Sequence, residues 1–138
     1  MICTFFGHKN AGSDVKEKIK HTVESLIDDG VLDYYVGNNG NFDYYVQAVL
    51  AEIMKKNKEV RLTVVLSHLD ERAMVADQEC TLFPEGLEMT LPRFAISKRN
   101  DWLIKNSQIA VIYVNNSFSN SYKLMEKARK KGLEIINI

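Results

Sequence analysis

Ile2-Cys3-Thr4-Phe5-Phe6, followed at once by Gly7-His8-Lys9-Asn10-Ala11-Gly12, is the stretch on which the reading of the fold turns. The first five residues are mostly apolar and predict a buried strand, and the polar, glycine-bearing segment after them predicts a turn-rich loop. Asp14 and Glu17 then stand at capping-box spacing, with Ser13 or Asp14 as the cap. Val15, Ile19, Val23, Leu26 and Ile27 recur at helical period, and Gly30 fits a helix stop. Strand, polar loop and helix make one unit.

The unit then repeats. Val31 to Val36 is β-branched and aromatic enough for a second strand. Gly37-Asn38-Asn39-Gly40-Asn41 follows as a loop, and Phe42, Tyr45, Val46, Val49, Leu50, Ile53 and Met54 stripe a second helix. Val60 to Leu66 is apolar nearly throughout after Arg61, as expected of a strand covered by helices on both faces. From Ser67 to about Lys98 the pattern is lost, and Pro84, Gly86 and Pro92 predict a long excursion with one short helix. Regularity resumes at Arg99, with a short helix over Asn100–Asn106, a very apolar fourth strand over Ile109–Val114 and a polar loop over Asn115–Asn120. Tyr122, Leu124, Met125 and Ala128 mark a further helix that Gly132 ends, and Leu133 to Ile138 is the last strand. The alternation predicts an α/β fold: a doubly wound, mostly parallel sheet of five strands, with right-handed crossovers and helices on both faces. No linker, low-complexity tract or internal repeat divides residues 1–138, so one domain is expected.

Composition narrows the functions open to such a domain. A chain of 138 residues, 46% of them hydrophobic, can bury one good core. Its 18 basic and 18 acidic residues cancel, and the sequence pI is near 6.8, which argues against a dedicated DNA or RNA binder. No apolar stretch is long enough to cross a bilayer, so no membrane association is expected. The first residues lack the basic leader of a signal sequence. Cys3 and Cys80 show neither Cys-x-x-Cys spacing nor the density of a disulfide scaffold, and read as two reduced, part-buried thiols of a cytoplasmic protein. Cys3, His8, His68 and Cys80 lack finger-like spacing, and no metal or other cofactor is assigned.

In a doubly wound sheet, ligands bind outside the carboxyl ends of the strands. That nominates three loops, Gly7–Ser13, Gly37–Asn41 and Asn115–Ser121, each just before a helix whose free amides can hold an anion. The candidate ligand-binding residues are Gly7, His8 and Lys9 in the first loop, and Gly37, Asn38, Asn39 and Gly40 in the second, with Asp43 one turn into its helix. The third loop offers Asn115, Asn116, Ser117, Ser119 and Ser121. The glycines allow a backbone cradle; the plainer alternative is a tight turn with Asn41 or Asp43 capping the helix. His8 suits acid–base work or a phosphate contact, against an exposed turn histidine. His21 reads as a surface residue of the first helix, whereas His68 ends the third strand on the ligand side. Arg93 and Arg99 could hold phosphate in a bidentate fork, with Asn100 beside the latter; Lys98 reads as surface.

From Arg99 the chain reads Arg99-Asn100-Asp101-Trp102-Leu103-Ile104-Lys105-Asn106-Ser107-Gln108 and then enters the fourth strand. This resembles the SLOG superfamily of DprA-like and LOG-like Rossmann-type domains, and is similar in particular to its small YpsA-like branch. Arg99, Asn100, Leu103 and Ser107 fall into that pattern, with Gln108 where aspartate is common. Phe6-Gly7-His8-Lys9 is similar to the Gly-His-Arg start of the branch, and Gly37, Gly40 and Asp43 resemble its glycine loop with altered spacing. The resemblance runs over nearly the whole chain and implies a Rossmann-like sheet of order 3-2-1-4-5. LOG-type enzymes, which cleave N-glycosidic bonds of nucleoside monophosphates, carry a Pro-Gly-Gly-x-Gly-Thr loop and a downstream glutamate. Here that loop is Val114-Asn115-Asn116-Ser117-Phe118-Ser119, and Ser121 stands near the glutamate position. The resemblance therefore implies binding or sensing of a nucleotide-derived small molecule without catalysis. The alternative is a nucleoside or nucleotide N-glycosidic hydrolase or transferase. Its missing acid or nucleophile would come from Asp43, His8, Asp70, Glu71, Asp77 or Glu79. A third reading is a partner-binding protein with a vestigial pocket. The broad apolar face of the Phe42–Met54 helix leaves room for a homodimer. Arg99→Ala and Gly37→Val are expected to abolish ligand binding while the fold stays in place.

Overall fold

The computed structural model describes residues 1–69, 80–115 and 117–138. Strand β1 (Ile2–Gly7) leads into helix α1 (Val15–Asp28), β2 (Asp33–Val36) into α2 (Asn41–Lys56), and β3 (Arg61–Val65) follows. A two-residue strand β4 (Thr81–Leu82) and two short 3-10 turns, Leu87–Met89 and Pro92–Phe94, precede α3 (Ala95–Lys105). The chain closes with β5 (Ile109–Tyr113), α4 (Asn120–Lys130) and β6 (Glu134–Asn137).

All five strand pairings are parallel, and the sheet runs β4-β3-β2-β1-β5-β6. The expectation of five strands is thus corrected to six, and the expected order is extended at one edge, where Thr81 and Leu82 pair with Val64 and Val65. Two residues are too few to show a period in sequence. The architecture is α/β and consistent with a Rossmann-like fold.

Successive residues of the central strands point to opposite faces, and both faces are buried. Cys3 and Phe5 of β1, with Ile109 and Val111 of β5, pack against Val15, Ile19 and Val23 of α1 and Phe42, Val46 and Leu50 of α2. Phe6 of β1, with Ala110 and Ile112 of β5, packs on the other face against Leu103 and Ile104 of α3 and Met125 and Ala128 of α4. The apolar face of α2 that left room for a homodimer is consumed here: its buried stripe, with Tyr45, Ile53 and Met54, packs on the chain's own core.

Two local expectations need correction. Asp14 sits at the start of α1 without a side-chain capping bond; the first turn is held instead by Val15 N–H donating to Gly12 O and Lys16 N–H to Ser13 O. Helix α3 begins at Ala95, not Asn100, so Arg99 lies inside a helix rather than before one. Gly30 and Gly132 end α1 and α4 with positive φ, as their positions predict.

Candidate functional site

Helices α1, α2 and α4 all begin where a parallel strand has just ended, so their preceding loops share the carboxyl rim of the sheet. These loops are fastened to one another. Asn41 N–H donates to Lys9 O at 2.8 Å, and its side-chain amide donates to Ala11 O at 3.4 Å, joining the second loop to the first. Gly40 takes φ +146° at this seam, and a Cβ there would lie 2.8 Å from Lys9 Cα, so only glycine lets the two backbones meet. The third loop joins the first through Asn115 N–H, which donates to His8 Nε2 at 2.7 Å. With Nε2 accepting, the neutral ring carries its proton on Nδ1. The His8 ring also stands edge-on to Tyr113, which stacks on Phe42.

The second loop is braced from its own helix. Asp43 Oδ2 accepts from Asn39 N–H at 3.1 Å, and Gln47 Nε2 donates to both Gly37 O and Asn38 Oδ1 at 3.1 Å. Behind this loop lies Arg99, only 2% exposed. Its Nη1 donates to Val65 O at 3.1 Å, at the end of β3, and its Nε donates to Asn100 Oδ1 at 3.0 Å. A Cβ on Gly37 would fall 2.8 Å from Arg99 Cζ and 2.9 Å from Asp43 Oδ2. Gly37 therefore marks the point where backbone, guanidinium and carboxylate crowd together.

A cleft of about 900 Å³ opens over this rim and runs down between α3 and α4. Gly7, His8, Lys9, Gly37, Asn39 and Asp43 line it on the side of the first two loops. Arg93, Arg99, Asn100, Asn115 and Ser121 line it from the α3 and α4 side. Four sequence candidates are not on its wall. Asn38 is engaged with Gln47, Gly40 forms the seam, Ser117 is exposed, and Ser119 Oγ accepts from Tyr122 N–H as the cap of α4. The candidates Asn116, Asp70, Glu71, Asp77 and Glu79 lie outside the described residues. His68 is not on the wall either; its Nδ1 lies 2.9 Å from Ser67 Oγ, and His21 is exposed beside Glu17. Among the described residues no His, Cys, Asp and Glu cluster suited to a metal occurs. Cys3 is buried and Cys80 half-buried, and the two are not joined in a disulfide.

Sequence reasoning missed the helical walls. Ser97 and Asp101 of α3, and Asn120, Lys123 and Lys127 of α4, also line the cleft. Their four-residue spacings were a signal, since such pairs share a helix face, but charge on a helix ordinarily means solvent. Lys127 forms an ion pair with Asp101 across the gap. Among the described residues, the cleft thus carries five cationic side chains, Lys9, Arg93, Arg99, Lys123 and Lys127, against two carboxylates, Asp43 and Asp101. A concave surface lined by one sign of charge attracts the other. A second groove, of about 520 Å³, lies at the opposite, amino-terminal rim between α1 and β6, lined by Leu26, Val31, Ile109 and Glu134 among others. Among the described residues, no lysine or arginine lines it.

No helix among the described residues is long and apolar enough to cross a membrane. Neither protein-family models nor curated proteins give a match to this chain.

Proposed function

We propose that the carboxyl-rim cleft holds an anionic, nucleotide-derived small molecule, and that the protein binds or senses this ligand without transforming it. The observation that carries the reading is the excess of cationic over acidic side chains that the described residues place on the cleft, the buried guanidinium of Arg99 among them. Lys9 and Arg99 supply charge for a phosphate, while Asn39, Asn115 and Ser121 offer amide and hydroxyl partners for a ribose. The SLOG resemblance of Arg99, Asn100 and the glycine loop fits the same chemistry.

The hydrolase reading asks more of the site. Cleavage of a glycosidic bond develops positive charge on the sugar, which a nearby carboxylate would stabilise. Of the two carboxylates that the described residues place on the wall, Asp101 is paired with Lys127, and Asp43 Oδ2 braces the amide of Asn39 beside Arg99. Glu126 pairs with Arg129 and does not line the cleft. The experiment is a panel of nucleoside monophosphates, nucleoside diphosphates and dinucleotides, read by thermal shift and by chromatography for released base. Stabilisation with the ligand intact is the expected outcome, about 2.7 kcal/mol at a hundredfold excess over Kd. Free base would replace this reading with the hydrolase, and silence across the panel would overturn both.

A further inference from the structure

The rim accounts for only part of the cleft. The cleft continues between α3 and α4, where Ile96, Ser97 and Asp101 of α3 and Lys123, Leu124 and Lys127 of α4 line it. Lys123 and Lys127 are one helical turn apart and share a face. Both are exposed. Lys127 forms an ion pair with Asp101 of α3, whereas Lys123 has no ion-pair partner among the described residues. Ser121 belongs to the rim; six residues on, Lys127 is displaced from it by about 9 Å along the helix axis. The total volume of about 900 Å³ lies at the upper end of the range for small-molecule sites. Cationic side chains therefore occur at two depths, an upper compartment with Lys9 and Arg99 and a lower one with Lys127, and Lys123 stands between them about 3 Å below Ser121 along the helix axis.

We infer that the site takes a ligand with two separated anionic groups, one at the rim and the other between α3 and α4 against Lys123 and Lys127, an extension that rests on the anion-binding reading of the rim. The spacing, and not total charge alone, is what this arrangement selects. Two probes separate these: the linear dinucleotide pApA, whose two phosphates are set apart by a nucleoside, and ADP, of similar charge but with contiguous phosphates. Binding of each to the full chain is measured by titration calorimetry, for the parent, Lys123→Gln/Lys127→Gln and Lys123→Arg/Lys127→Arg. The parent is expected to bind pApA about tenfold more tightly than ADP, and the Gln pair to lose about that factor for pApA while ADP changes less than about twofold. The Arg pair restores pApA binding. Affinity for pApA should also fall more steeply with salt than affinity for ADP in the parent, and the difference should vanish in the Gln pair. Melting temperatures check that the variants fold; should the Gln pair fail to fold, the affinity ratio and salt dependence of the parent decide alone. Equal parent affinities for the two probes, or equal losses in the Gln pair, would overturn the two-compartment site and leave the rim reading standing. Failure of the parent to bind either probe would remove both.

Discussion

A guanidinium withdrawn from water costs several kcal/mol unless hydrogen bonds compensate it. Arg99 meets that cost through Val65 O and Asn100 Oδ1, in a position packed beside Gly37 and Asp43. Its removal does more than delete a ligand contact. Arg99→Ala would leave the Val65 carbonyl without this donor and open a void in the core, so a destabilisation of about 3 kcal/mol is expected together with loss of anion binding. This departs from the sequence-based expectation of an intact fold, and urea unfolding of the variant checks it. Gly37→Ala tests the same junction with one atom. The added Cβ would press on Arg99 Cζ and Asp43 Oδ2, and stability should fall by about 1–3 kcal/mol with weakened ADP binding. A stable Gly37→Ala protein with parental affinity would show that this crowding is immaterial. Each of these residues was visible in sequence as a glycine, an acid or an arginine with suggestive neighbours. Their meeting was not, because contact between β2, α2 and α3 arises only when the sheet forms.

At the scale of elements, legibility followed burial. Strands β1, β3 and β5 are apolar because both faces are covered, and their runs stood out. Helix α3 was expected from Asn100 and begins at Ala95, because its buried residues are Ala95, Arg99, Leu103 and Ile104 and a search for apolar periodicity stops at the arginine. The buried charge at Arg99 thus concealed the first turn of the helix that carries it. Helix starts misled in the opposite sense: Asp14 and Glu17 had the spacing of a capping box but make no such bond, whereas Ser119 caps α4. Capping and lining separate experimentally. Ser119→Ala should cost about 1 kcal/mol in unfolding free energy while ligand affinity stays within about twofold. Ser121→Ala, on the wall of the cleft and buried at the start of α4, should weaken binding more than Ser119→Ala does. The reverse pattern would exchange the roles given to the two serines.

For the molecule as a whole, a sheet covered on both faces has a dry centre, and ionisable groups there resist ionisation. Cys3 and Tyr34 pair across β1 and β2, and both are fully buried. Burial pushes the Cys3 thiol far above its ordinary value. It also raises Tyr34, to which the neighbouring Cys3 adds a smaller effect, while the Tyr34 hydroxyl donates to Val31 O. Both groups are acids with raised values, so the folded state keeps protons that the unfolded chain releases. Below the ordinary thiol value of about 8.5, both states hold these protons and the two groups confer no pH dependence. Above it the unfolded chain binds fewer protons, and stability should fall by up to about 1.4 kcal/mol per pH unit; above about pH 10, Tyr34 joins and the slope approaches twice that. Cys3→Ala should remove the first decline and retain the second, measured as urea midpoints from about pH 7 to about pH 11. Superimposable curves for parent and variant would mean that water reaches the sheet centre. That outcome would also weaken the case for the cleft, because its cations act strongly only if the core behind Arg99 is dry enough to keep their field unscreened.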